Sequence, residues 1–230
     1  VGDRVFGVVT KPYLGDGSLG EYVTVPVQVG IGKLPDTVDF VEGAALGLAG
    51  TAAVDAVDAA GIEPGATVLI AGATGGVGQQ ALQLAVAAGA HVIGTASSEE
   101  EKDLVTGLGA AATVDYKADA AEQVLGNHPD GIDVAFGFAG DPSALVPAVK
   151  QGGRLVSTLI MSPDDIPADG VQVVAIYANP APETLERLAR NQADKNTTVT
   201  VQRTYRHEEA AQAFEDFAAG TRGKLVVTLA

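Results

Sequence analysis

Short apolar segments alternate with helical patterns through the middle of the chain. The apolar segments that predict strands cover residues 67–71, 91–95, 112–115, 132–136, 154–158 and 171–176. Residues 77–88 repeat apolar side chains at helical spacing, and Gly89 suits the end of that helix. Nearly continuous apolar strands that alternate with helices are typical of a buried parallel sheet. The pattern therefore predicts an α/β domain with a doubly wound parallel sheet of about six strands.

The first part of the chain has a β-rich pattern instead. Residues 5–9 predict a strand, residues 17–20 a turn, and residues 21–25 alternate as an edge or barrel strand would. Two successive helices are then predicted, the first capped by Asp39 and the second ending at Gly61. We therefore expect a small β structure that leads into helices before the parallel sheet begins.

The last part of the chain also departs from the strand–helix alternation. Residues 199–205 and 223–229 predict strands, and we expect the final strand to return to the N-terminal β region. The amphipathic segment 207–219 lies between them, and its expected inner face consists of Ala210, Ala211, Phe214 and Phe217. Two domains follow from these patterns. The predicted ranges are 46–198 for the sheet domain, and 1–45 with 199–230 for the β domain.

Composition narrows the classes of function. The 230 residues include 29 acidic and 14 basic side chains, for a formal charge of −15. Such a surface repels phosphate backbones and anionic lipid, which disfavours nucleic-acid and membrane partners. The absence of cysteine excludes disulfides, thiolate catalysis and Cys-ligated zinc. No apolar run reaches the roughly 18 residues of a membrane span and no signal peptide is visible, so we expect a cytoplasmic protein.

A glycine-rich turn separates the first strand of the sheet from the helix that follows. Gly72, Gly75 and Gly78 stand three residues apart, with the strand before them and the helix after them. Glycine lets the backbone approach an anion closely, and the first amides of a helix attract phosphate. In this strand–turn–helix context the spacing predicts that the pyrophosphate of a dinucleotide binds here. The alternative is a tight β–α connection without a ligand.

The residues after the second strand of the sheet bear on which dinucleotide binds. An Asp or Glu about 20 residues beyond the turn would bond the ribose 2′-OH of NAD. This chain has Thr95 there, and the small hydroxyl residues that follow leave room for a 2′-phosphate, which favours NADP(H) over NAD(H). The acidic run 99–101 is interpreted as a helix start, with Ser98 and Glu101 as a capping box. Lys102 is the nearby cation able to reach a phosphate.

Several short motifs occur along nearly the whole chain in the order in which one enzyme family has them. They cover residues 1–7, 20–23, 42–46, 71–78, 108–110, 114–116, 152–156 and 223–226. With these motifs the chain resembles the medium-chain dehydrogenase/reductase superfamily, in its zinc-free quinone oxidoreductase-like branch. The resemblance implies a Rossmann domain and a GroES-like β domain with NADPH in the cleft, and hydride transfer to a quinone, enone or enal. It also implies that the usual N-terminal part of the GroES-like domain is lacking before Val1.

The resemblance implies contacts to the cofactor, position by position. Residues implied to hold the pyrophosphate are Ala73, Thr74, Gly75, Gly76 and Val77. Residues implied or expected beside the adenosine 2′-phosphate are Thr95, Ser97, Lys102 and Tyr116. Segments 136–140 and 157–159, which contain Phe138, Ala139 and Leu159, are implied to pass beside the ribose and nicotinamide. No proton donor is assigned, although the resemblance places Tyr13 and Tyr22 in the right region.

Two departures from the family pattern keep a second hypothesis open. Glu101 stands where the family usually has its phosphate-binding lysine, and residues 137–140 read Gly-Phe-Ala-Gly where the family has Asp-Asn-x-Gly. The first hypothesis is a zinc-independent NADPH-dependent oxidoreductase. The alternative is a truncated, non-catalytic NADP-binding module or subunit that pairs with a partner. The three histidines have no metal-ligand spacing, so no metal is expected. Residues Val171 to Ile176 predict an edge strand through which a homodimer could form.

Overall fold

The structure is a computed structural model that describes residues 1–10 and 17–229. It divides into two compact units. The first comprises Val1–Thr51 and Ala178–Ala230, and the second comprises Ala52–Tyr177. The sequence patterns put the boundaries at 45/46 and 198/199, and the GroES-like character of the smaller domain stays a prediction.

The described residues contain ten strands and six α-helices. The strands are β1 (Val5–Gly7), β2 (Ile31–Lys33), β3 (Thr67–Ala71), β4 (His91–Thr95), β5 (Ala112–Val114), β6 (Ile132–Gly137), β7 (Val149–Ser157), β8 (Gln172–Ala175), β9 (Val201–Arg206) and β10 (Lys224–Thr228). The α-helices are α1 (Phe40–Ala60), α2 (Gly76–Ala87), α3 (Glu99–Gly107), α4 (Ala120–Asn127), α5 (Pro182–Ala193) and α6 (Ala210–Ala218). Short 3₁₀ helices cover Pro142–Ala148, Pro163–Asp165 and His207–Glu209.

A six-stranded sheet forms the centre of the second unit. Its strand order is β5-β4-β3-β6-β7-β8, and every neighbouring pair is parallel. The side chains of Val68, Leu69 and Ile70 in β3 are fully buried, as expected for a parallel strand covered on both faces. The doubly wound Rossmann-type fold predicted from the sequence is confirmed. The strand order reverses between β3 and β6, and ligands of such sheets bind beyond the carboxyl ends of the strands at that point.

Helix α2 follows β3 and packs on the sheet through small and branched side chains. Ala81, Leu82 and Ala85 are buried on its inner face. The helix ends before Gly89, whose φ of 85° lies in the left-handed region that favours glycine. The predicted helix over 77–88 is therefore confirmed, with its start and its end each one residue earlier.

Two small sheets belong to the first unit. Strand β1 pairs with β2 in antiparallel orientation, and β10 pairs with β9 in parallel orientation. The final strand lies in the same unit as the N-terminal strands, as expected, but among the described residues it pairs with β9 and with neither β1 nor β2. Residues 21–25 form no strand. Alternation of apolar and polar side chains is a property of a single segment. It does not show whether a neighbouring strand is present to form the backbone hydrogen bonds that a β-strand requires.

One continuous helix, α1, replaces the two predicted helices between Asp39 and Gly61. Asp39 does cap it, since its Oδ1 accepts the Glu42 N–H at 2.7 Å. Glycines in the middle of the segment, at positions 47 and 50, lie within this continuous helix. Their role is close packing, because a Cβ on Gly47 would lie 2.3 Å from the carbonyl oxygen of Gly7. A helix can keep glycine where a neighbouring backbone leaves no room for a side chain.

Helix α1 is also long and apolar enough to cross a membrane by length and composition. Its sequence carries Glu42, Asp55 and Asp58, which is why no uninterrupted apolar run of that length is visible. Within the protein, 67% of its most apolar window is buried. Core helices of globular proteins pass the same test, so this helix is weak evidence for a span.

The expected inner face of helix α6 is wrong. Phe214 and Phe217 are 64% and 65% exposed, and Ala213 is the buried residue of the helix. A helical period shows which side chains share a face. It does not show whether any other part of the chain covers that face.

Candidate functional site

The glycine turn after β3 is fixed by hydrogen bonds that two of its backbone amides donate. The Gly72 N–H donates to the Thr95 hydroxyl at the end of β4, over 3.0 Å. The Gly75 N–H donates to the Gly72 carbonyl, also over 3.0 Å. Gly72 has a φ of 80°, which favours glycine at this position. Thr95, predicted from the sequence as a cofactor residue, thus anchors the turn to the neighbouring strand.

The three glycines of the turn have different roles. A Cβ on Gly78 would lie 2.1 Å from the Gly72 carbonyl oxygen, so Gly78 lets helix α2 pack against the turn. A Cβ on Gly75 would meet only the same oxygen, at 3.4 Å, which is ordinary contact. Gly75 has a φ of −78°, which other residues adopt readily. Among the described residues, no neighbour therefore requires glycine at position 75, and the lack of a Cβ leaves room for a ligand to approach the backbone there.

The first turn of helix α2 is open to an anion. The N-cap residue Gly75 has no side chain to accept from the first amides, and the first turn carries no acidic residue. By contrast, Ser98 caps α3 and Asp119 caps α4 through side-chain oxygens. The first amides of a helix have no partner within the helix and carry partial positive charge. The amides of Gly76 and Val77 thus meet the requirement for a phosphate site, whereas the Gly75 amide is used within the turn.

A buried glutamine supports this turn from beneath. The Gln79 side chain is 1% exposed, and its Nε2 donates to the Thr74 carbonyl oxygen over 2.7 Å. Gln83 Nε2 donates in turn to the Gln79 carbonyl at 3.0 Å. Gln79 was not among the sequence-predicted site residues. The available signal was an amide side chain one residue after Gly78, at the start of a helix whose inner face is otherwise apolar.

A cavity of about 390 Å³ opens beside the turn, at the carboxyl ends of the strands. It lies where the strand order of the sheet reverses. Among the residues that line it are Gly72, Thr74, Thr95, Tyr116, Ala139 and Asp141. The structure thus brings together the turn, the ends of β4 and β6, and Tyr116, which the sequence resemblance assigned to one ligand.

The loop after β4 is closed by the predicted capping box. Ser98 Oγ accepts the Glu101 N–H at 3.2 Å, and Glu101 Oε2 accepts the N–H groups of Ser97 at 2.7 Å and Ser98 at 3.3 Å. Glu101 Oε1 accepts the Tyr116 hydroxyl at 3.2 Å. One carboxylate therefore joins the loop at Ser97 to Tyr116 on the cavity wall.

Lys102 is held on the surface of the same helix. Its Nζ donates to Glu99 Oε1 over 2.7 Å. This hydrogen bond and the charge of Glu99 raise the pKa of Lys102 above its ordinary value. Lys102 is thus a protonated side chain with an acidic partner, and to reach a phosphate it would have to leave that partner.

The segments predicted beside the ribose and nicotinamide follow β6 and β7. Ser157 Oγ donates to the Gly137 carbonyl at 2.7 Å and accepts the Leu159 N–H at 3.0 Å. The Phe138 N–H donates to the Ala71 carbonyl at 3.1 Å. The Phe138 ring stacks on Phe136, with 5.4 Å between ring centroids. Phe138 therefore uses its backbone to hold the strand ends together, and its side chain contributes apolar surface.

The remaining candidates form no catalytic group. Tyr22 is 91% exposed in the first unit, and Tyr13 lies outside the described residues. Across residues 1–10 and 17–229, no three His, Cys, Asp or Glu side chains gather as a metal site would require. No proton donor is therefore assigned.

Comparison with known proteins decides the family. The family model described as zinc-binding dehydrogenase matches residues 76–216. Quinone oxidoreductase of Sus scrofa is 31% identical over 247 aligned positions, which cover 99% of this chain and 73% of that protein. The chain belongs to the medium-chain dehydrogenase/reductase superfamily. Within it, these matches place the chain in the quinone oxidoreductase-like branch, as the motifs predicted, and membership implies a nicotinamide cofactor.

Two further comparisons define the extent of the likeness. The 2-methylene-furan-3-one reductase of Solanum lycopersicum is 34% identical over 160 residues, which are 67% of this chain and 40% of that protein. An alcohol dehydrogenase superfamily protein from Novosphingobium aromaticivorans superposes with a TM-score of 0.86 at 24% identity, over 100% of this chain and 76% of that one. The latter supports the fold. This chain thus spans less than half the length of one relative and about three quarters of two others.

The residues of the site fit a nicotinamide dinucleotide. The open first turn of α2 suits a pyrophosphate, and the absence of a Cβ at Gly75 lets it approach the backbone. Among residues 1–10 and 17–229, the buried Ser97 hydroxyl has no hydrogen-bond partner, so it is available to a ligand. The cavity beside Tyr116 has room for part of such a molecule.

Proposed function

We propose that this chain is the cofactor-binding part of a zinc-independent, nicotinamide-dependent oxidoreductase that transfers hydride to a quinone, an enone or a similar electron-poor substrate. The observation that carries the proposal is the uncapped first turn of helix α2 beside a cavity at the reversal point of the sheet. The relatives named for a quinone and for a methylene furanone support the substrate class.

The chain's own residues contribute binding and orientation. When bound, the nicotinamide dinucleotide supplies the hydride. The amides of Gly76 and Val77 hold the pyrophosphate, and the Gln79 amide fixes the Thr74 carbonyl beneath them. Ser157 joins the ends of β6 and β7 through the Gly137 carbonyl and the Leu159 N–H, and the Ala71 carbonyl holds the Phe138 N–H. Pre-set geometry of this kind lowers the entropic part of the barrier.

A nucleotide-binding module without turnover is the second candidate. Phe138 favours it, because the ring stacks on Phe136 and offers no hydrogen bond where the family has an asparagine side chain. Such a module would bind the dinucleotide through the same turn and leave the chemistry to a partner. The two candidates therefore agree on binding and differ on hydride transfer.

One pair of measurements separates these candidates. Binding of NADH and of NADPH is followed by nicotinamide fluorescence, and oxidation by stopped-flow absorbance with a panel of quinones and enones. Binding with oxidation supports the reductase. Binding without oxidation by this chain supports the module. If neither nucleotide binds, both proposals fail.

We also propose a cytoplasmic homodimer formed through β8. Strand β8 lies at the end of the sheet order and pairs with β7 on one side. An edge strand presents unpaired amides and carbonyls that a second copy could pair with. Sedimentation velocity tests this, with a species of twice the chain mass expected. A monomer at every concentration measured would contradict the dimer.

A further inference from the structure

The carboxylate of Glu101 lies where the sequence resemblance placed the 2′-phosphate of NADP(H). Its two oxygens accept hydrogen bonds from the backbone of the loop at Ser97 and from the hydroxyl of Tyr116. Ser97 and Tyr116 are two of the four residues that were implied or expected beside the adenosine 2′-phosphate. Because the Glu101 carboxylate contacts both residues, it lies close to the expected position of the 2′-phosphate.

The position of this carboxylate is fixed by the start of helix α3. Reciprocal bonds between Ser98 and Glu101 form a complete capping box. Releasing the carboxylate would break the bonds to the Ser97 and Ser98 amides, which lie 2.7 Å and 3.3 Å from it. Such a box stabilises the helix start by satisfying two amides at once. The negative charge is therefore part of the fold and does not depend on the ligand.

Other charged side chains near the cavity add to the negative potential that Glu101 creates. Among the residues that line the cavity, Asp119 and Asp141 are acidic and none is Lys or Arg. Hydrogen bonds from Ser143 lower the pKa of Asp141, so that side chain stays ionised. Lys102 is paired with Glu99. A 2′-phosphate would therefore enter a region of negative potential without a free counter-charge among these residues.

The ribose 2′-hydroxyl of NAD(H), unlike a 2′-phosphate, is favoured by a nearby carboxylate. A hydroxyl can donate to a carboxylate, and dinucleotide-binding sheets that select NAD use an acidic residue near the end of the second strand for this purpose. Here the acidic residue is not at the strand end. It comes from the third position of the next helix, and the capping box turns it back to the loop. The sequence spacing alone therefore missed it and favoured NADP(H).

We infer that Glu101 makes this chain select NAD(H) over NADP(H) by accepting the ribose 2′-OH and repelling a 2′-phosphate. The inference rests on the proposed function, since it assumes that a nicotinamide dinucleotide binds at the turn. It reverses the preference expected from the sequence. It also gives Glu101 a role that its interpretation as a helix cap did not include.

The test compares Glu101→Gln with Glu100→Gln. Glutamine can keep a capping box, so the first variant removes the charge at 101 without removing the helix start. Glu100 lies beside it on α3 and is exposed, so the second variant changes the net charge equally at a matched position. Dissociation constants for NADH and NADPH are measured by fluorescence titration. Competition by 5′-AMP and by adenosine 2′,5′-bisphosphate isolates the 2′ position.

We expect the unmodified chain to bind NADH about tenfold more tightly than NADPH, and 5′-AMP more tightly than the bisphosphate. Glu101→Gln should shrink the ratio by about threefold or more, mainly through tighter NADPH binding, and Glu100→Gln should leave it unchanged. Equal binding of both nucleotides, tighter NADPH binding, or an unchanged ratio in Glu101→Gln overturns the inference while the proposed function stands. Absence of binding by both nucleotides overturns the two together.

Discussion

Replacing Gly75 by Asp should raise the stability of the chain and lower its affinity for the dinucleotide. Position 75 is the N-cap of α2, with a φ of −78° and a ψ of 166° that Asp adopts without strain. A Cβ there meets only the Gly72 carbonyl oxygen, at 3.4 Å. The new carboxylate would accept from the first amides of the helix, which are the same amides that we assign to the pyrophosphate.

The two effects can be estimated separately. Asp caps a helix better than Gly by a few tenths of a kcal/mol. Losing the backbone freedom of Gly in the unfolded chain adds about 0.4–1 kcal/mol. Together they predict an increase of about 1 kcal/mol in the free energy of unfolding. Occupied amides and like-charge repulsion should weaken binding of NADH about tenfold or more, which corresponds to about 1.4 kcal/mol.

Urea denaturation measures the first effect, and fluorescence titration with NADH measures the second. Gly75→Asn is the matched control, because Asn has the same shape and capping preference without the charge. It should stabilise the chain similarly and lose less affinity than Gly75→Asp. An Asp variant that is more stable and binds NADH as tightly as the unmodified chain would refute the phosphate role of this turn.

Three further predictions concern stability. Gly78→Ala should cost about 2 kcal/mol in urea denaturation, because its Cβ would lie 2.1 Å from a backbone oxygen. Thr95→Val should cost about 1–2 kcal/mol by removing the acceptor of the Gly72 N–H, while Thr95→Ser should stay near the unmodified value. Hydrogen bonds from Tyr205 and then Gln212 lower the pKa of Asp216, so its contribution is present above about pH 4 and is lost as acid protonates the folded carboxylate. Urea midpoints measured from neutral to acidic pH should therefore fall less steeply for Asp216→Asn, and parallel curves would contradict this.

The parallel sheet could be predicted because its signal is local and strong. Its six strands contain short apolar runs. Five of them begin and end within one residue of the predicted bounds, whereas β7 begins at Val149, five residues before the predicted start. Gly61 and Gly89 ended their helices as expected, since both have positive φ. The capping box at Ser98 and Glu101 was also readable, because its two residues stand three positions apart.

The errors arose where a distant part of the chain decides the structure. Two helices were predicted where one continuous helix, α1, forms, and its glycines at 47 and 50 pack where a Cβ would meet Gly7 and Leu188. Contacts between residues distant in the sequence also explain why the candidate site was only partly predicted. The contact between Glu101 and Tyr116 spans 15 positions, and the bond from Gly72 to Thr95 spans 23. The spacing rule for the glycine turn located Thr95, but it did not predict the Gly72–Thr95 hydrogen bond, and no spacing rule relates Glu101 to Tyr116.

The double engagement of Glu101 couples helix folding to the choice of coenzyme. A lysine at this position would bring a positive charge toward the adenosine ribose, but it could not accept the Ser97 and Ser98 amides. An evolutionary switch of nucleotide would therefore need a second substitution that restores the start of α3. Glutamine at position 101 preserves the capping box in a single substitution. We therefore expect laboratory evolution toward NADP(H) either to select Glu101→Gln as an intermediate or to rebuild the loop first.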